Sequence, residues 1–488
     1  MATRKVIHLS KSDRRWDPDS QGLWVTKTDV VEVHRCAYRV FLAHQQCRPY
    51  SEYLTKSAQQ LLSSGISTED RVVSQLELTV ASNVDAARRE GGVFKFPVQF
   101  FNHDLGITGV LDGILFENDV LFPVEIKSHK RLRRSDRLEL AFYWRLLEPL
   151  QRAEGFGNQS RGHIILGAYE RWQEVPLRRR DLNWADRLID GVRQTKVNGA
   201  SLARVAACKD CTLNQEHIAQ LKSDRDVSII LNVGDSRRRD LHKLGVDSIG
   251  ALAAADLVNL HDRWCTIGTT STVPSLQLLR GMQIHADAWL ADETKVVDAA
   301  VIPPPDEAII LDLEYCTWPD RFIFLVGLLI VREGHVLDVK QEFAENSDDE
   351  LRILRAMQDI LNEHPRSPIV TWSGLSADFP EIDHAWRKHG LSEDALEVFK
   401  GRHIDLYQRA MRGVRVPTIG LGLKDMLEYF EFPRKVKDVD SGFAALMMYL
   451  DYLRKGGRNL RLKLLRYNQD DLDGTLFVWE KLWGIVNG

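Results

Sequence analysis

The chain has 488 residues, 44% hydrophobic and 27% charged, with a formal net charge of −4. That length suggests two to four domains, and the composition is that of an ordinary soluble globular protein. The charge balance excludes a global basic field, so any nucleic-acid groove must be local.

The N-terminus, Met-Ala-Thr-Arg-Lys-Val-Ile-His, lacks the apolar core of a signal peptide, and no stretch is long and apolar enough to span a bilayer. A cytoplasmic protein with no membrane partner is the expectation. Without a secretion signal, Cys208-Lys209-Asp210-Cys211 reads as a metal or cluster site rather than a disulfide. Cys47, Cys265 and Cys316 read as core cysteines.

In chain order, residues 22–45 predict an opening strand and a helix bearing His34, Cys36 and Tyr38. A helical stretch follows over 51–86, broken around Gly65-Ile66-Ser67. The segment 93–127 is β-rich, with turns at Asn102-His103-Asp104 and Glu117-Asn118-Asp119. It holds Leu111-Asp112-Gly113 and then Val124-Glu125-Ile126-Lys127, where period-two alternation puts Glu125 and Lys127 on one face. A helix over 138–150 comes next.

An Asp on one strand with Glu-x-Lys on the next resembles the core of the PD-(D/E)xK nucleases. The resemblance implies carboxylates that bind a divalent ion and a lysine that orients the attacking water. With Cys36 ahead and Cys208 and Cys211 behind, residues 22–222 are similar to the RecB-like nucleases, the CRISPR-associated ones included. In that family one early and three late cysteines hold an iron–sulfur cluster. Here the last cysteine position is His217, so Cys36, Cys208, Cys211 and His217 form the implied set, for an iron–sulfur cluster, a zinc or no metal at all. Two other positions depart from the family. Thr68 stands where a histidine is expected, beside Glu69, and Glu139 stands where a glutamine is expected, four residues before Tyr143. Extra charge at Glu139 opposes phosphate approach. The implied pocket is Glu69, Asp112, Glu125 and Lys127. An active nuclease and a degenerate, DNA-gripping or structural domain stand as equal readings.

From residue 228 the pattern changes. Leu231-Asn232-Val233-Gly234-Asp235 predicts a tight turn before a helix over 236–244, and a further helix spans 249–260. This resembles a helix–hairpin–helix module, which implies phosphate contacts at Gly234, Arg237 and Arg238. A helical spacer with a solvated arginine face is the equal alternative. A helix over 273–290 and the stiff run Val301-Ile302-Pro303-Pro304-Pro305 close the region.

The last part opens on Ile309-Ile310-Leu311-Asp312-Leu313-Glu314, an apolar run that reads as a buried strand. Asp312 and Glu314 project from one face, and two adjacent buried carboxylates call for a divalent cation. Strands over 322–331 and 336–343, a helix over 348–362 and a strand at 369 build a three-layer fold. Asp378 opens a later helix, and Tyr467 and Asp471 share a helix face. This ordered set, from residues 305 to 486, resembles the DnaQ-like exonucleases of the RNase H-like superfamily in their tyrosine (DEDDy) form. The resemblance implies that Asp312, Glu314, Asp378 and Asp471 bind two Mg²⁺ or Mn²⁺ ions and that Tyr467 positions the attacking water. Trp372-Ser373-Gly374, Gly422-Leu423-Lys424-Asp425 and Tyr467-Asn468 resemble a bacterial subgroup of RNase H-like proteins. Asp405 is a candidate secondary contact, His403 a surface histidine, and Trp318 and Trp372 packing residues.

The expected chain is therefore an α/β multidomain protein. A restriction-endonuclease-like domain spans 1–222, a helical helix–hairpin–helix-like region 223–300, and an RNase H-like three-layer domain 301–488. The expected function is a metal-dependent 3′-5′ exonuclease on single-stranded DNA, with RNA as the other possible substrate. The alternatives are an exoribonuclease and a catalytically spent nucleic-acid-binding adaptor in repair or defence.

Overall fold

The computed structural model describes all residues except 1–5, 10–23, 57, 61, 64–78, 82, 119, 128, 130, 152–159, 167–170, 270, 317–320, 437 and 440. Thr68, Glu69 and Trp318 lie outside the described residues. The chain divides into two units, Met1–Leu221 and Lys222–Gly488. The helical region over 223–300 thus belongs to the same unit as the C-terminal sheet.

In the first unit, α1 (Lys27–Arg35) starts from a capping box in which Thr26 and Asp29 each accept the other's backbone amide through their side chains. The single helix expected here is broken at Cys36, whose extended φ of −159° ends α1 and begins α2 (Ala37–Gln45). A six-stranded sheet follows. β1 (Gly92–Lys95), β2 (Gly113–Glu117) and β3 (Val120–Lys127) pair antiparallel. Helix α3 (Arg134–Leu147) then crosses over to β4 (Arg161–Leu166), which runs parallel to β3, and β5 (Arg171–Pro176) returns antiparallel. A parallel pair needs such a crossover. The order is β5-β4-β3-β2-β1, with Thr79–Val80 at the far edge. Strand β3 is central, and its interior residues are buried throughout, hence its nearly unbroken apolar sequence. Helix α4 (Arg179–Asn198) packs on α1, α2 and α3.

The second unit begins with α5 (Asp235–Lys243), α6 (Ile249–Ala253), α7 (Leu257–Thr266) and α8 (Leu276–Ala291). The helix expected over 249–260 is split because the Asp256 carboxylate accepts from the amides of Val258 and Asn259 and starts a new helix there. Buried His285 on α8 joins this bundle to the rest of the unit. Its Nδ1 accepts from the Leu231 amide at 2.9 Å, and its Nε2 donates to the Val416 carbonyl at 2.8 Å.

The sheet of this unit contains β6 (Glu307–Cys316), β7 (Phe322–Arg332) and β8 (His335–Phe343) as an antiparallel meander. Helix α9 (Glu350–Glu363) leads to β9 (Ile369–Thr371), parallel to β6, and α10 (Asp378–Lys388) leads on to β10 (His403–Asp405), parallel to β9. The order is β8-β7-β6-β9-β10. Later come α11 (Leu423–Tyr429), α12 (Gly442–Lys455) and α13 (Arg458–Asn487). Alternate residues of β6 enter different cores. Ile309, Leu311 and Leu313 pack with α9, α10 and α12, whereas Ala308 and Ile310 pack with Leu472, Leu476 and Trp479 of α13. Asp312 and Glu314 continue the second of these faces, which α13 covers. The fold thereby delivers a helix to both carboxylates.

Candidate active site

Asp312 stands opposite Gly327 of β7 and Glu314 opposite Leu325, with a bulge immediately after Glu314 that bends the strand end. One turn of α13 brings Tyr467 and Asp471 to the same place, both buried. Carboxylate oxygens of Asp312, Glu314 and Asp471 lie within 4.8 Å of one another. Burial, followed by repulsion from the neighbouring acids, raises Asp312 and Glu314 well above the usual carboxylate range, and burial raises Asp471 against the pull of Lys424 and Arg434. Asp378, at the start of α10, is buried and pushed up to about 7, by burial first and by Asp405 next. It adds to the repulsion felt by Asp312 and Glu314 without joining the tight triad. Acids held this close either keep protons or take up a cation, and the donor set is all oxygen, which suits a hard divalent ion.

Several residues that the sequence did not single out hold this arrangement. Asn468, 0% exposed, donates to Asp312 Oδ2 at 2.7 Å and accepts from Gln341 Nε2 at 2.8 Å. Lys424 donates to the Tyr467 hydroxyl at 3.3 Å, and Arg434 donates to Asp471 Oδ1 at 3.2 Å. Both cations partly offset the charge on Asp471, and both lie over the Tyr467 ring, at 5.2 and 5.6 Å from its centre. Tyr467 in turn hydrogen-bonds Asp471, and burial followed by the neighbouring acids keeps its phenol protonated. Asp470 has a different role: its Oδ2 accepts from the amides of Lys435 and Val436, which anchors the loop that carries Arg434. Only the neighbourhood of Asn468 and Lys424, in fragments already noted, hinted at any of these.

Residues near the rim also have partners in the fold. Asp405 accepts from the Gln408 and Leu375 amides, so it caps one helix and fixes the loop before Asp378. His403 bonds Thr371 Oγ1 at 2.8 Å and packs on Phe379, and burial lowers it to about 4. Trp372 donates its indole N–H to the Leu421 carbonyl and, half-buried, packs against the core.

In the first unit, Asp112, Glu125 and Lys127 are brought together at the β2–β3 end. Asp112 Oδ2 accepts from the Ile126 amide at 2.9 Å, and Lys127 Nζ donates to Glu125 at 2.6 Å and to Glu139 at 2.8 Å. Lys27, which the sequence reading passed over, also faces Glu125 and Glu139. Cys36, Cys208, Cys211 and His217 line one small cavity together with the buried Arg39. Burial pushes the Cys36 thiol up to about 11 and raises Cys208 as well. Among the described residues, these four donors do not converge to the spacing of a single ion.

One expected phosphate contact of the helical region, Arg238, needs correction. Arg238 is buried and forks onto Asp226, with Nε at 2.9 and 3.0 Å and Nη2 at 2.7 Å, so it is not free to meet a phosphate. Arg237 donates to the Asn232 carbonyl at 2.7 Å. Gly234 is exposed at the N-cap of α5 with nothing within 4 Å of an added Cβ. The only tight glycine turn of this hairpin with positive φ is at Gly245 (+80°), between α5 and α6.

Among the described residues, no helix is long and apolar enough to cross a membrane. No curated protein matches the chain. Among solved structures, the family B DNA polymerase from the hyperthermophilic archaeon Pyrobaculum calidifontis is similar, with 22% identity and a TM-score of 0.30 over 37% of this chain and 25% of the polymerase. The chain thus spans a quarter of that relative. Residues 309–483 match the family model of the RNase_H superfamily, and the C-terminal part of this α/β protein is an RNase H-like domain.

Proposed function

We propose that the RNase H-like domain is a 3′-5′ exonuclease of the DEDDy type that removes nucleotides from single-stranded DNA by phosphodiester hydrolysis. The observation that carries this reading is the convergence of Asp312, Glu314 and Asp471 within 4.8 Å, beside Asp378 and Tyr467. In this reading Asp312, Glu314, Asp378 and Asp471 hold two Mg²⁺ or Mn²⁺ ions, which when bound stabilise the attacking and leaving oxygens. The Tyr467 hydroxyl donates to Asp471 and accepts from Lys424, which leaves it one lone pair to orient the attacking water. Lys424 and Arg434 put positive charge where the phosphate develops more negative charge.

The first unit is proposed as a RecB-like PD-(D/E)xK fold that grips nucleic acid. Its parallel β3–β4 crossover and the meeting of Asp112, Glu125 and Lys127 support that reading. Cys36, Cys208, Cys211 and His217 are proposed to hold an iron–sulfur cluster rather than one zinc. They line a cavity instead of converging on a point.

The test is incubation of the full chain with 5′-labelled single-stranded DNA or RNA in Mn²⁺. A ladder of shortening DNA products, abolished by Asp312→Ala, is expected. A ladder on RNA alone makes the protein an exoribonuclease. Binding that persists in chelator, with no cleavage of either substrate, rejects the enzyme reading in favour of an adaptor.

A further inference from the structure

Glu125 is 0% exposed, and Glu139 lies beside it on α3. Two buried carboxylates need cations. The structure provides two ammonium groups, and each touches both acids. Lys127 Nζ lies 2.6 Å from Glu125 and 2.8 Å from Glu139. Lys27 Nζ lies 3.3 Å from Glu125 and 3.1 Å from Glu139, and 5.3 Å from the centre of the Tyr143 ring. Glu125 and Glu139 are therefore balanced charge for charge by the protein itself, while burial, followed by Glu125, pushes the third acid of the pocket, Asp112, up to about 7.

Lys27 is an unexpected residue in that place. It is the first residue of α1, where the positive end of the helix dipole disfavours a lysine. Its side chain nevertheless turns inward, with only 26% of its surface exposed, to meet acids about one hundred residues away in sequence. The negative charge that Glu139 adds to this pocket is the charge that Lys27 offsets. The contrast with the C-terminal site is direct. There, three carboxylates converge within 4.8 Å, whereas among the described residues Asp112, Glu125 and Glu139 form no such group.

We infer that Lys27 is a built-in counter-cation that takes the place of a divalent ion at Glu125. The first unit then takes up no Mg²⁺ or Mn²⁺ at this pocket and cuts no phosphodiester bond, so hydrolysis is confined to the C-terminal site. The inference rests on reading the first unit as a RecB-like fold, and its test is a metal-binding measurement that does not depend on cleavage.

The full chain carrying Asp312→Asn and Glu314→Gln, which disable the C-terminal triad, is titrated with Mn²⁺ and free ion is followed by electron paramagnetic resonance. With Lys27 intact, no Mn²⁺ uptake that depends on Glu125 is expected, and Lys27→Arg leaves this unchanged. Replacing Lys27→Met together with Glu139→Gln removes one charge of each sign and leaves the Glu125–Lys127 pair in place, so the fold is retained. That variant is expected to gain a Mn²⁺ site that Glu125→Gln abolishes. Two results overturn the inference: Glu125-dependent Mn²⁺ binding while Lys27 is present, or a folded double variant, checked by circular dichroism, that still takes up none.

Discussion

The side-chain amide of Asn468 spans 2.7 Å to Asp312 Oδ2 and fixes one carboxylate of the triad from the helix that also carries Tyr467 and Asp471. Its other end is held by Gln341 on β8, so three elements meet at one amide. Gly327 makes room for it: a Cβ there would lie 2.1 Å from Asn468 Oδ1.

Asn468→Ala releases Asp312 from that hold. Loss of such a supporting partner costs on the order of 10- to 100-fold in metal affinity or activity. The exonuclease rate as a function of Mn²⁺ concentration reads this, with Gln341→Ala giving a smaller effect. Gly327→Ala forces Asn468 to move and is expected to cost about 1–3 kcal/mol of stability as well as activity, seen in denaturant melts. A Gly327→Ala protein as stable and active as the parent excludes the close packing described.

Tyr467→Phe removes the hydroxyl between Lys424 and Asp471 while leaving the ring that both cations cover. A fall in kcat of about a hundredfold or more is expected, with metal binding retained by calorimetry. An equal loss of metal binding would assign Tyr467 to building the triad instead of orienting water.

The acids of the triad and Asp378 titrate above their ordinary values, Asp378 at about 7 against 3.8. A carboxyl whose folded pKa is raised binds its proton more tightly when folded. Its contribution to stability is present below the unfolded pKa and is lost as pH rises through the folded one. The metal-free protein therefore loses stability from this site between about pH 4 and 7, and a divalent ion, which replaces the protons, restores more at the upper end. The rise in Tm on adding Mn²⁺ should grow across that window and flatten in Asp378→Asn. A pH-independent rise contradicts the burial of these acids.

Arg238→Ala strands Asp226 as a buried acid and should destabilise the protein by about 3–5 kcal/mol. Affinity of the folded variant for single-stranded DNA should stay unchanged, because the guanidinium is already engaged. Asp226 itself titrates below its ordinary value, chiefly through its hydrogen bonds with Arg238 and Ser228, so this pair stabilises above about pH 4 and fades as pH falls. A fluorescence-anisotropy titration that weakens in Arg238→Ala restores a phosphate-binding role.

Protein purified without oxygen should carry iron and acid-labile sulfide in equal amounts, both lost in Cys36→Ser and in Cys208→Ser. Zinc in their place, measured by elemental analysis, decides for a single-ion site formed by rearrangement of the four ligands.

Local pattern was enough for the sequence to determine much of the second unit. The run from Ile309 to Glu314 alternates as a strand does, Tyr467 and Asp471 are one helical turn apart, and the apolar strands at 322 and 336 announce a meander. These features depend on neighbours in the chain, which is where periodicity carries information. Other features were decided only by contacts between distant segments. Lys27 reaches Glu125 across 98 positions, Asn468 reaches Asp312 across 156, and Arg238 is claimed by Asp226 from the preceding loop. A lysine, an asparagine or an arginine read in isolation looks solvated, because its partner is set by packing and not by spacing. The break of a helix at Cys36 was not legible either: it follows from the extended backbone there, not from any proline or glycine. Sequence alone determined that Asp312 and Glu314 share a strand face and that Tyr467 and Asp471 share a helix face. Tertiary structure decided which charges are left to bind something else, because burial makes every unpaired charge costly and the fold assigns the partners.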